Sequence, residues 1–178
     1  MKKKLLFLIL CLGMFSIAQV QAQPRQCKLH SWYHGHVSHI NLYIGSRFVQ
    51  SLPVDYNNSF VFSLPRVYST DLTSISAVFG EGLSSSNSDV QVAMLNMGAT
   101  LITGETINEY MGPAYSRRPS TGVILYVYST GSCSISGNAN SLSVSVNLKT
   151  GWKTIKLCHN DGTMVSVNGD QGWNWGTD

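Results

Sequence analysis

Leu142-Ser143-Val144-Ser145-Val146-Asn147-Leu148 alternates aliphatic and polar side chains without a break. In an extended chain successive side chains point to opposite faces. The run therefore has one buried face, of Leu142, Val144, Val146 and Leu148, and one wet face. Lys149-Thr150-Gly151 follows as a short turn with a glycine available for the left-handed position, and 152–158 returns as a second strand. Asn160-Asp161-Gly162 makes a further hairpin turn into 164–167. The expectation is an antiparallel C-terminal meander.

The same grammar extends toward the N-terminus. Short runs rich in Val, Ile, Leu, Tyr and Phe recur at 28–33, 37–44, 48–52, 60–64, 74–79, 90–97, 100–104, 122–130 and 133–136, with turn residues between them. Ser, Thr, Asn and Gly make up well over a third of residues 23–178, and all are poor helix formers. Strands at this spacing predict an all-β domain, a single sandwich of antiparallel strands. Helix signals are few: one turn within 72–79 after Asp71, where β-branched residues also suit a strand, and a short segment at 105–111. Ser84-Ser85-Ser86-Asn87-Ser88 and 113–119 read as surface loops.

The chain has 178 residues, 12% of them charged, and a formal net charge of +3. Lys2, Lys3 and Lys4 precede an apolar run over 5–15, and Val20 and Ala22 supply aliphatic and small residues before a cut after Ala22. This is the pattern of a secretory signal peptide over 1–22, leaving a β-sandwich domain over 23–178. Removing the three lysines brings the formal charge to zero, so the concentrated positive field of a nucleic-acid binder is missing. Residues 23–178 contain no apolar stretch of the ~20 residues that a transmembrane helix needs. The expected location is secreted or periplasmic.

Tyr126-Val127-Tyr128, a glycine-containing turn, an alternating strand and then Leu148-Lys149-Thr150-Gly151-Trp152 resemble the end of small secreted bacterial β-sandwich proteins of transthyretin-like topology. The likeness spans roughly a third of the chain and rests on strand and turn residues. It implies the sandwich fold and a bacterial exported context, and implies no catalytic motif or function.

Cys27, Cys133 and Cys158 remain once Cys11 leaves with the signal. Export favours oxidation, so the expectation is one disulfide, Cys133 with Cys158, or alternatively Cys27 with Cys158, and one buried thiol. Strand parity speaks against the first pair: Cys133 shares a face with Ile135, whereas Cys158 lies opposite Ile155 and Leu157.

Four histidines, His30, His34, His36 and His39, fall within ten residues. On one strand His34 and His36 would be neighbours on a face with His30 and Trp32, a spacing that suits capture of zinc or copper. Gly35 between the pair favours a bulge that would break that face, leaving ordinary exposed histidines.

Trp173-Asn174-Trp175 on an extended segment would hold two indoles facing one way about 7 Å apart, near the repeat of a β-linked sugar chain. Trp32 and Tyr33 form a second aromatic candidate. The competing reading puts the tail tryptophans over one end of the core. No nucleophile elbow, phosphate loop or dinucleotide fingerprint occurs. Glu105 and Glu109 would sit side by side on a helix, instead of across a glycosidic bond. Taken together the sequence predicts a non-catalytic exported protein with no required cofactor, binding a glycan or protein partner through exposed aromatics. The alternatives are an assembly subunit pairing through sheet edges and a periplasmic metal-binding protein.

Overall fold

The computed structural model describes residues 24–29, 36–107, 114–115, 122–158, 161–167 and 174–175. The segment 1–22, His30, Trp32, Tyr33, His34, Glu109, His159 and Trp173 lie outside the described residues, and at 174–175 only the backbone is described.

Strands form where alternation occurs. They are β1 (Arg25–Leu29), β2 (Val37–Ile44), β3 (Arg47–Pro53), β4 (Ser59–Phe62), β5 (Leu83–Ser85), β6 (Val92–Leu101), β7 (Thr106–Ile107) and β8 (Ala114–Tyr115). The second half carries β9 (Gly122–Ser129), β10 (Cys133–Ala139), β11 (Leu142–Leu148), β12 (Gly151–Cys158), β13 (Thr163–Val167) and β14 (Asn174–Trp175). The runs 90–97 and 100–104 join into the single strand β6. The helical option at 72–79 prevails as α1 (Ile75–Phe79), where the Ser74 hydroxyl accepts the Ala77 N–H at 3.3 Å and Gly80 ends the turn at φ +98°. Three expectations fail locally. Within 105–111, Thr106 and Ile107 pair with β6 instead of starting a helix; the serine run begins as β5, an edge strand on β10; and within the expected loop 113–119, Ala114 and Tyr115 pair with β9.

Eleven strands make one large, mostly antiparallel sheet in the order β3-β2-β6-β9-β12-β13-β11-β10-β5, with β7 beside β6 and β8 beside β9. A three-stranded sheet, β14-β1-β4, stands apart from it, and β14 runs parallel to β1.

The C-terminal meander is corrected. Asn140 and Ser141, both at positive φ, turn β10 into β11 as a two-residue hairpin, and β12 pairs with β13 across the Asp161-Gly162 turn. But β11 and β12 do not pair: β13 lies between them, parallel to β11 through Ser143↔Thr163 to Ser145↔Val165 and antiparallel to β12. The arms that Lys149-Thr150-Gly151 joins are therefore splayed. Where the parallel ladder stops, the Ser166 hydroxyl accepts the Asn147 N–H at 2.7 Å and donates to the Asn147 carbonyl at 3.1 Å. Those backbone groups would otherwise lose their ladder partners. Alternation determines which face a side chain takes and says nothing about which strand lies beside it.

Two apolar cores result. The first joins Ile40, Leu42 and Ile44 of β2, Leu95, Met97 and Ala99 of β6, and Ile124 and Tyr126 of β9 to Cys27 and Leu29 of β1 and Phe60 and Phe62 of β4. The second joins Ile75 and Phe79 of α1 to Val127, Ile135, Val144, Val146, Leu148, Ile155 and Met164. Tyr126 and Val127 are consecutive on β9 and enter different cores, so the large sheet buries apolar side chains on both faces. A sheet of this many strands coils instead of staying flat, which allows each face its own cover.

Candidate functional site

Residues 63–74 connect the small sheet to α1 and run as a strap pinned at three points. The Trp152 indole N–H donates to the Pro65 carbonyl at 3.0 Å. Further along, Arg47 on β3 grips Asp71 bidentately, Nε to Oδ1 at 2.6 Å and Nη2 to Oδ2 at 2.8 Å. Finally, Thr73 and Val92 exchange backbone bonds at 2.8 and 2.9 Å. The Asp71 carboxylate also accepts the Tyr68 N–H at 2.8 Å, and its side chain is only 2% exposed.

The electrostatics follow from that geometry. The Arg47 hydrogen bonds, reinforced by the Tyr68 N–H, hold the Asp71 carboxyl below the usual carboxylate range despite its burial. Asp71 in turn raises the Arg47 guanidinium above its ordinary value, against the cost of desolvation. This pair is a saturated structural clamp.

Outside the clamp the strap presents aromatic and cationic surface. The Tyr68 ring is 50% exposed and has two guanidiniums over it, Arg47 with Cζ 5.0 Å from the centroid and Arg66 at 5.5 Å. Arg47 Nη2 also donates to the Arg66 carbonyl at 3.3 Å. Next to Arg47 on β3, Phe48 is 54% exposed and meets Tyr43 edge-to-face at 5.6 Å. Tyr56, in the loop after β3, is 94% exposed. On β2 the buried Asn41 amide donates to Thr100 Oγ1 and accepts from Ser51 Oγ, both at 2.8 Å, tying three neighbouring strands together.

The residues singled out by sequence fare unevenly. Asn174 and Trp175 form β14, paired with Lys28 and Leu29 of β1, which makes the tail part of the small sheet. Trp152 is half-buried against the first core and meets Tyr128 at 5.7 Å. His36 and His39 are exposed, and His39 Nδ1 lies 3.1 Å from Ser38 Oγ. No group of three His, Cys, Asp or Glu side chains able to hold a metal occurs among the described residues.

The disulfide expectation is overturned: Cys27, Cys133 and Cys158 are buried thiols, with no bond between them. Cys133 pairs with Leu148, whereas Cys158 aligns through Thr163 with Ser143. Three strand spacings and five residues of stagger place them about 14 Å apart across the sheet and about 17 Å along it. A disulfide requires Cα atoms within ~7 Å. Burial raises the Cys133 thiol, and the Ser85 hydroxyl offsets part of that shift.

The Arg47–Asp71 clamp was invisible to sequence reading because its members lie 24 residues apart on elements that share no pattern. No family model, curated protein or solved structure matches this chain.

Proposed function

We propose that residues 23–178 are an exported, non-catalytic recognition domain that binds a glycan or protein partner through exposed aromatic side chains on a β-sandwich scaffold. The observation that carries this reading is the strap's Tyr68, which exposes about half its surface while Arg47 and Arg66 lie over the ring and hold it in place. Phe48, paired with Tyr43 on the opposite face of β3, offers a second half-exposed ring. Aromatic rings fixed in this way lose little conformational freedom on binding, and they offer flat apolar faces with polar neighbours. The sandwich reading is supported by β1 and β4, whose Leu29, Phe60 and Phe62 pack with one face of β2, β6 and β9.

Titration of residues 23–178 against oligosaccharides, with Phe48→Ala and Tyr68→Ala compared in parallel, tests the reading. The account expects a ligand whose affinity falls about tenfold or more in at least one variant, at unchanged fold content. A ligand bound by both variants as tightly as by the parent would remove these rings from the function.

A second reading, an assembly subunit, is favoured by β3, a seven-residue strand at the edge of the large sheet. The bulge opposite Leu42 and Tyr43 twists that strand and works against edge pairing. Concentration-dependent association abolished by a Gln50→Pro change would favour this reading over the first.

A further inference from the structure

The recognition reading leaves open the chemistry of the ligand, and the charge arrangement around Tyr68 narrows it. Arg47 and Arg66 both lie over one ring, and Arg47 donates to the Arg66 carbonyl, so two cationic side chains are held at one point. In a chain with only 12% charged residues this is a pronounced local concentration. A single carboxylate, Asp71, serves the pair. Its oxygens are taken by Arg47 Nε, Arg47 Nη2 and the Tyr68 N–H, and its side chain is 2% exposed. Asp71 therefore neutralises Arg47 and is buried in that pair, which leaves the charge of Arg66 unmatched. Among the described residues no carboxylate pairs with Arg66, which is exposed.

A guanidinium is a planar fork of donors that can grip a carboxylate with two parallel hydrogen bonds, and stacking on an aromatic ring restrains it. We infer that Arg66, oriented by Tyr68 and Arg47, is the anchor for the carboxylate of an acidic glycan, one built of uronic acid units. This rests on the recognition reading above and specifies its ligand. A uronate joins a carboxylate to a sugar ring whose C–H face can rest on the exposed part of Tyr68 beside Arg66. An acidic peptide is the less favoured source of the carboxylate. It would be expected to add to the β3 edge, and the bulge interrupts that edge.

The test is calorimetric titration of residues 23–178 with an oligogalacturonate and with the same chain fully methyl-esterified, which differs in lacking free carboxylates. The expected result is binding of the acidic chain only, weakened by added salt and reduced about tenfold in Arg66→Gln. Arg66→Lys, which keeps the charge but loses the fork, should recover only part of the affinity. Arg66 is exposed, so both variants should melt with the parent. Equal binding of the two sugars, with Arg66→Gln silent, overturns the carboxylate assignment while the recognition reading stands. Stronger binding of a poly-glutamate peptide than of the uronate overturns the glycan assignment. Binding of no oligosaccharide and no peptide overturns both readings.

Discussion

The two cores of this molecule are assembled differently. The first sets three aromatic rings, Phe60, Phe62 and Tyr126, among aliphatic side chains drawn from distant parts of the chain. Phe60 stacks with Phe62 at 6.1 Å, Phe62 meets Tyr126 edge-to-face at 5.6 Å, and β1 and β4 supply the cover. The second is mainly Val, Ile and Leu, drawn from consecutive C-terminal strands and closed by the single-turn helix α1. The central strands β6, β9 and β12 feed both. A wide coiled sheet can thus stabilise two faces with different covers, provided that a strap carries the chain from one to the other.

The comparison can be broken by substitution. Phe62→Ala, which removes a ring from the first core, should cost about 3–5 kcal/mol in urea unfolding, and Ile135→Ala in the second core about 2–4 kcal/mol. The two clusters share no residue, so the double variant should be additive within about 0.5 kcal/mol. A larger coupling energy would mean that the cores behave as one.

The strap that links them is the next weak point. Asp71→Asn leaves Arg47 without its carboxylate and should cost about 1–3 kcal/mol. Because the folded Asp71 pKa is depressed, its contribution is complete above the unfolded carboxylate value and disappears as pH falls through the folded one. Parent and variant should therefore differ in stability at neutral pH and converge in acid. A gap independent of pH would assign the effect to packing alone.

Ser74→Ala removes the hydroxyl that caps α1 and should cost about 1 kcal/mol. Hydrogen exchange should show faster opening near α1 and unchanged protection of β2. The thiols provide a check of a different kind. Residues 23–178 unfolded without reductant should take up three iodoacetamide adducts, whereas a disulfide would leave one.

Much of this organisation was legible in the sequence. The bounds of β2 and β11 match the runs 37–44 and 142–148 to the residue, and β11 alternates throughout. Parity even signalled the two faces: Trp152 is out of phase with Ile155 and Leu157 on β12, and it packs against the first core while they join the second. The same parity separated Cys133 from Cys158. The insertion of β13 between β11 and β12 was not legible, because a strand's choice of neighbour depends on contacts that no local pattern encodes. The site was less legible still. The sequence directed attention to tryptophans and histidines near the ends, whereas the described aromatic–arginine surface joins Arg47 to residues 66–71, and only folding brings these together.

The position of β13 decides whether the second core exists in this form. Backbone NOE spectroscopy on residues 23–178 tests it directly. The account predicts contacts between Val144 and Met164 across the parallel ladder and between Lys156 and Val165 across the antiparallel one, with none joining β11 to β12. A continuous antiparallel ladder between Val144 or Val146 and β12 would contradict it.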